Sequence, residues 1–220
     1  MSKVQGPTPD RHYEVPDSVW GALARWGMVL EQDKLLPSVA TIIAGGPLNS
    51  SWWGHPAAKG TYEVLQALEE REEVVSVKLV SGRVTFVLQE LWPALLGAAL
   101  SHESWQLDGL SAEDRALLEL VDDVGRVRLD ELPGPAKTLR ESARLLERRL
   151  LIHSGELHSE SGAHTKVLGG WPVWIDEHWP GAKLMEPEAA RAILSGALDA
   201  MNSYFGANAR LPWQSGRSPR

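Results

Sequence analysis

Residues 136–150 read AKTLRESARLLERRL, and the choice of fold turns on how that stretch winds. At 3.6 residues per turn, Leu139, Ala143, Leu146 and Leu150 form one apolar stripe. Lys137, Arg140, Arg144 and Arg148 recur at spacings of three, four and four on the opposite side, with Glu141 and Glu147 at its margins. The spacing predicts an amphipathic helix over 136–150 with a cationic outer face. Taken alone, that face is equally well a solvated one, laced by Arg–Glu pairs that contribute a few tenths of a kcal/mol each.

Its neighbours separate the two readings. Downstream, 151–158 and 164–168 alternate as two strands of a hairpin, with 159–163 as the tip. Upstream, Ser111 and Asp114 form a capping box for a helix over 111–123, with Ala116, Leu117, Leu120 and Val121 inward and Gly125 as its stop. A short strand fits 127–129. Helix, strand, helix and hairpin is the element order of a winged helix-turn-helix, which presents the helix before the hairpin to a major groove. Segment 126–149 holds seven Lys/Arg and four Asp/Glu, a local +3 in a chain of formal charge −7.

The first part of the chain reads similarly. Val19, Leu23, Trp26 and Leu30 predict a helix over 19–31, followed by a short helix over 37–44 that stops at Gly45-Gly46-Pro47. A loop over 48–60 carries Trp52 and Trp53, and a helix covers 61–71. Strands over 74–80 and 83–88 flank the turn former Ser81-Gly82, and a helix fits 91–100. Segments 171–179 and 186–204 are helical, 1–17 reads as an arm and 207–220 as a tail. The expectation is an α+β fold of tandem winged-helix-like modules with a C-terminal helix, divided as 18–105, 108–180 and 181–220.

Composition bounds the chemistry. With 220 residues, 43% hydrophobic and 23% charged, the chain can bury ordinary cores. It has no cysteine, which excludes disulfides, thiolate metal sites and cysteine nucleophiles within it. No apolar run reaches the ~18 residues of a membrane span and the first residues lack a signal-type apolar core, so a cytoplasmic protein with no membrane partner is expected. The charge of −7 argues against a nonspecific nucleic-acid coat, whose affinity comes from phosphate attraction.

Four stretches carry a family resemblance: Lys78–Phe86 (KLVSGRVTF), Leu110–Leu118 (LSAEDRALL), Leu146–Ile152 (LERRLLI) and Glu160–Leu168 (ESGAHTKVL). Over residues 50–180 the chain resembles the winged-helix family of uncharacterised bacterial proteins related to the AlkZ/YcaQ DNA glycosylases. The resemblance implies tandem winged helices with a concave DNA-binding surface. In the glycosylases it also implies a Q-x-Q or Q-x-D motif that positions the hydrolytic water. The glutamines Gln5, Gln32, Gln66, Gln89, Gln106 and Gln214 are read as lacking a Gln or Asp two residues on, so the motif is not expected and no catalytic residue is carried over.

Three function classes follow, the third of them a reduced DNA glycosylase-like hydrolase for which no water-activating group is placed. In the first, Lys137, Arg140, Arg144, Arg148, Arg149, His164 and Lys166 contact DNA, with damaged or unusual DNA as a candidate target. In the second, the frame is a non-enzymatic scaffold on which Trp52, Trp53 and His55 bind a small aromatic ligand or a protein, since tryptophan offers a large stacking face. His153, His158 and His164 lack the spacing of a metal site, and no phosphate loop, dinucleotide fingerprint or nucleophile elbow is present, so no metal or cofactor is expected.

Overall fold

The first helix stops earlier than its apolar spacing predicts. In the computed structural model, which describes residues 13–158 and 164–214, α1 spans Asp17–Trp26 and Gly27 follows at φ 73° with its N–H on the Leu23 carbonyl. Met28–Leu30 then forms strand β1, all three residues fully buried. A continuous apolar run looks the same to a periodicity count whether it coils or extends, so the expected helix over 19–31 is a helix and a strand. A side chain at position 27 would put its Cβ 2.6 Å from Leu91 Cδ1, which requires glycine there on steric as well as torsional grounds.

Ser38 then caps α2 (Val39–Ala44), and a 3-10 turn at Trp52–Gly54 leads into α3 (Ala58–Glu69), whose Val64, Leu65 and Leu68 face inward. Strands β2 (Val74–Lys78) and β3 (Val84–Leu88) complete an antiparallel sheet in the order β1-β3-β2, with Val75 opposite Val87. Ser81 and Gly82 both have positive φ, as the turn former predicts, but pairing ends at Lys78 and Val84, so residues 79–83 make a longer connection than the expected two-residue turn. Next come α4 (Trp92–Ala99) and the single-turn α5 (Ser104–Leu107).

The second half repeats the pattern. Helix α6 (Ala112–Val124) starts on the expected reciprocal cap of Ser111 and Asp114 and ends at Gly125, φ 81°. Within it Leu118 is buried and Ala116 exposed, the reverse of an inward Ala116. Strand β4 (Arg126–Arg128), helix α7 (Ala136–Arg148) and strands β5 (His153–His158) and β6 (His164–Gly169) follow, with sheet order β4-β6-β5. In each sheet the last strand is central. Each sheet is followed by a helix opening on Trp-Pro: α4 at Trp92-Pro93, and α8 (Trp171–His178) at Trp171-Pro172. The expected tip at 159–163 and the side chain of His164 lie outside the described residues.

The halves share a core. Trp92 meets Trp174 edge-on at 4.9 Å between ring centroids, and Trp174 meets Trp171 at 5.9 Å. Met28, Leu30, Leu150 and the inner face of α9 (Pro187–Phe205), made of Ala190, Leu194, Leu198 and Met201, close around them. The buried indoles keep their hydrogen bonds, Trp92 Nε1 donating to the Val87 carbonyl at 3.1 Å and Trp171 Nε1 to that of Leu150 at 2.7 Å. Two smaller clusters lie under α1–α3 and under α6–α7. The stretch after α9 is a packed strap where a tail was expected: Leu211 is fully buried and Trp213 donates to Ser195. Among the described residues no helix is long and apolar enough to cross a membrane.

Candidate nucleic-acid interface

Helix α7 buries Ala143 and Leu146 and turns Lys137, Arg140, Arg144 and Arg148 to solvent. Lys137 lies 3.9 Å from Glu141, both well exposed, a pairing that contributes little in water. Among the described residues neither Arg140 nor Arg144 has a carboxylate partner. Arg148 donates from Nε to the Arg144 carbonyl, and its side chain lies against Gly82 in the first hairpin turn. The upstream cations are already matched, Arg126 by Glu177 and Arg128 by Asp130 and Glu131. The local excess of positive charge therefore resides on α7.

Two expected DNA ligands face the interior. Arg149, one residue past α7, is buried and donates at 2.7 Å to the carbonyls of both Gln106 and Asp108. Burial pulls its pKa down, against the opposing pull of Asp114 and Asp108. It joins α7 to the segment between the halves and has no open path to a phosphate. Lys166 reaches Glu147 Oε1 at 2.7 Å, while Lys78 of β2 reaches Oε2 of the same carboxylate at 2.7 Å and Ser154 donates to it as well. Glu147 is 4% exposed, where the sequence placed it at the margin of the outer face. Burial raises its pKa, but the bonds and charge of Lys166 and the bonds from Lys78 and Ser154 outweigh that and hold it below the ordinary carboxylate range. One carboxylate thus ties α7 to both hairpins, beside a cavity of about 240 Å³ lined by Ser76, Lys78, His153, Ser154 and Lys166.

His153 Nε2 is buried there with no hydrogen-bond partner among the described residues and sits over Gly169. Burial pushes its pKa down to about 4, helped by the positive charge of Arg126. It is neutral at pH 7 and is no phosphate contact.

Contrary to the expectation that no glutamine fits the pattern, Gln106-Leu107-Asp108 is a Q-x-D. The structure gives it a different use. Gln106 is fully buried, its Oε1 accepts from Ser101 Oγ and the Glu103 N–H, and its Nε2 donates to the carbonyls of Ala99 and Arg149. Both amide hydrogens and both carbonyl lone pairs are occupied, so this side chain holds no water for hydrolysis.

The tryptophan loop is tied to Glu31 and Gln32 by hydrogen bonds. Trp52 is 3% exposed and donates from Nε1 to Glu31 at 2.7 Å, and Gln32 bridges its N–H to the Ser50 carbonyl. Trp53 stacks on it at 4.0 Å and is 66% exposed. His55 is half-buried and accepts at Nδ1 from the Ala57 N–H. Neither the cavity beside Glu147 nor an apolar groove of about 410 Å³ along Trp26, Leu35, Ile42 and Phe205 includes any of the three. Compared with protein-family models, curated proteins and solved structures, the chain matches none.

Proposed function

We propose that both halves are winged-helix modules and that the second binds duplex DNA through α7, with damaged or unusual DNA among the candidate targets. The carrying observation is the row Arg140, Arg144 and Arg148, exposed at four-residue intervals and free of carboxylate partners among the described residues. Helix α7 has 13 residues, about 20 Å of helix, and a B-form major groove is wide enough to admit it. Guanidinium groups suit both phosphates and the guanine edge, because their fork donates in pairs. The repeated sheet order and the hairpin after α7 support the winged-helix assignment, and the resemblance to the AlkZ/YcaQ-related family points the same way. The corresponding helix of the first half, α3, sets Lys59 beside Glu63 and ends on Glu69. It has no cationic row, so a single reading helix is assigned. The net charge of −7 repels DNA from the remaining surface and orients the encounter.

The proposed activity is binding, and Gln106, fully bonded internally, supplies no anchor for a hydrolytic water. Replacing Arg140 and Arg144 together by Glu tests the assignment in a direct affinity measurement. The account expects at least a roughly tenfold loss at moderate salt, because two phosphate contacts become two repulsions; equal affinity rejects it. The scaffold reading keeps one observation, the open face of Trp53 stacked on buried Trp52. A small aromatic ligand stacking there would quench tryptophan emission in wild-type protein and leave Trp53→Ala unchanged.

A further inference from the structure

Resting on the DNA-binding reading of α7, we infer that the bound duplex also lays its phosphates across the first hairpin turn and the C-terminal strap, through Arg83, Arg148 and Arg210. The three arginines come from segments remote in sequence that meet at one corner of the molecule. Arg148 leaves the last turn of α7 and lies along Gly82, where a side chain's Cβ would be 2.9 Å from Arg148 Cδ. Ser81 donates its N–H to the Arg210 carbonyl at 2.7 Å, and the Arg210 N–H returns to Ser81 Oγ at 3.2 Å. Arg83 is the next residue along the same turn. All three are exposed.

The corner is held in place before any ligand arrives. The turn is held by the Arg83 N–H on the Val80 carbonyl at 3.0 Å and the Val80 N–H on Thr85 Oγ1 at 3.2 Å, and the strap is anchored by Asn202, which bonds both the N–H and the carbonyl of Ala209, and by buried Leu211. A cationic corner ordered in advance loses less freedom on binding than three independent long side chains. Among the described residues Arg148 and Arg210 have no carboxylate partner. Arg83 is paired with Asp33, whose other carboxylate oxygen accepts from the N–H groups of Leu35 and Leu36. Asp33 therefore occupies the guanidinium that a phosphate would take.

That competition gives a test with opposite signs. A labelled duplex extending beyond α7 at both ends is titrated with full-length protein over a series of salt concentrations. Arg83→Ala with Arg210→Ala is expected to weaken binding and lower the slope of log affinity against log salt by about 2, near 0.9 per phosphate contact. Asp33→Asn keeps the acceptor for Leu35 and Leu36, releases Arg83, and is expected to tighten binding. A general loss of structure would weaken both variants, and the loss of a negative charge alone would tighten binding with or without Arg83, so tightening in Asp33→Asn that disappears when Arg83→Ala is added reports the contact itself. An unchanged slope in the double variant, with no tightening in Asp33→Asn, overturns this inference; if Arg140→Glu with Arg144→Glu still abolishes binding, the α7 reading survives it. Failure of the wild type to bind duplex overturns both.

Discussion

Gln106 makes four hydrogen bonds to four different residues in the joint between the halves. Gln106→Ala strands buried carbonyls and an N–H, and is expected to cost about 2–4 kcal/mol in urea unfolding; a loss below about 1 kcal/mol contradicts the joint. Glu147→Gln leaves Lys78 and Lys166 facing each other without a counter-charge and is expected to cost roughly 3 kcal/mol or more at pH 7. The folded Glu147 pKa lies below its unfolded value, so its contribution is present above about pH 4.5 and is lost as pH falls through the folded value. His153 acts over a higher window. Folded, it takes its proton only near pH 4; unfolded, near 6.5. Between those values the unfolded chain binds more protons, and stability rises with pH by up to about 3 kcal/mol. His153→Phe should flatten the stability profile from pH 4 to 6.5, and Glu147→Gln should flatten it only below about pH 4.5.

At the scale of elements, what the sequence made legible was local. The Ser111–Asp114 cap, the Gly125 stop and the Ser81-Gly82 turn are written in residues that bond or bend their own backbone. Strand β1 was hidden because three buried apolar residues continue a helical spacing equally well. The inner members of the proposed site were hidden for the opposite reason. Glu147 is buried by Lys78, 69 residues away, and Arg149 by carbonyls of the segment ending at Asp108. Arg148 and Arg149 are adjacent in sequence and lie on opposite sides of the helix end, a difference visible only once the halves are docked. The tryptophan loop shows the same division. Trp52→Ala should be strongly destabilising, by about 3 kcal/mol or more, and Trp53→Ala nearly neutral, within about 1 kcal/mol, in chemical unfolding.

For the whole molecule, the α+β chain closes its two small antiparallel sheets over one tryptophan core clasped by α9. Such a core predicts one cooperative thermal transition with equal calorimetric and van't Hoff enthalpies; two resolved transitions would contradict the shared core. The same docking sets the charge pattern, sending Arg149 and Lys166 inward and leaving Arg140, Arg144 and Arg148 outside on an otherwise acidic molecule. The most direct test is the salt dependence of duplex binding, followed by fluorescence anisotropy, for the wild type and for Arg140→Ala with Arg144→Ala. The account predicts a linear fall of log affinity with log salt in the wild type and a slope smaller by about 2 in the variant. Identical slopes, or no binding by the wild type at low salt, would contradict it.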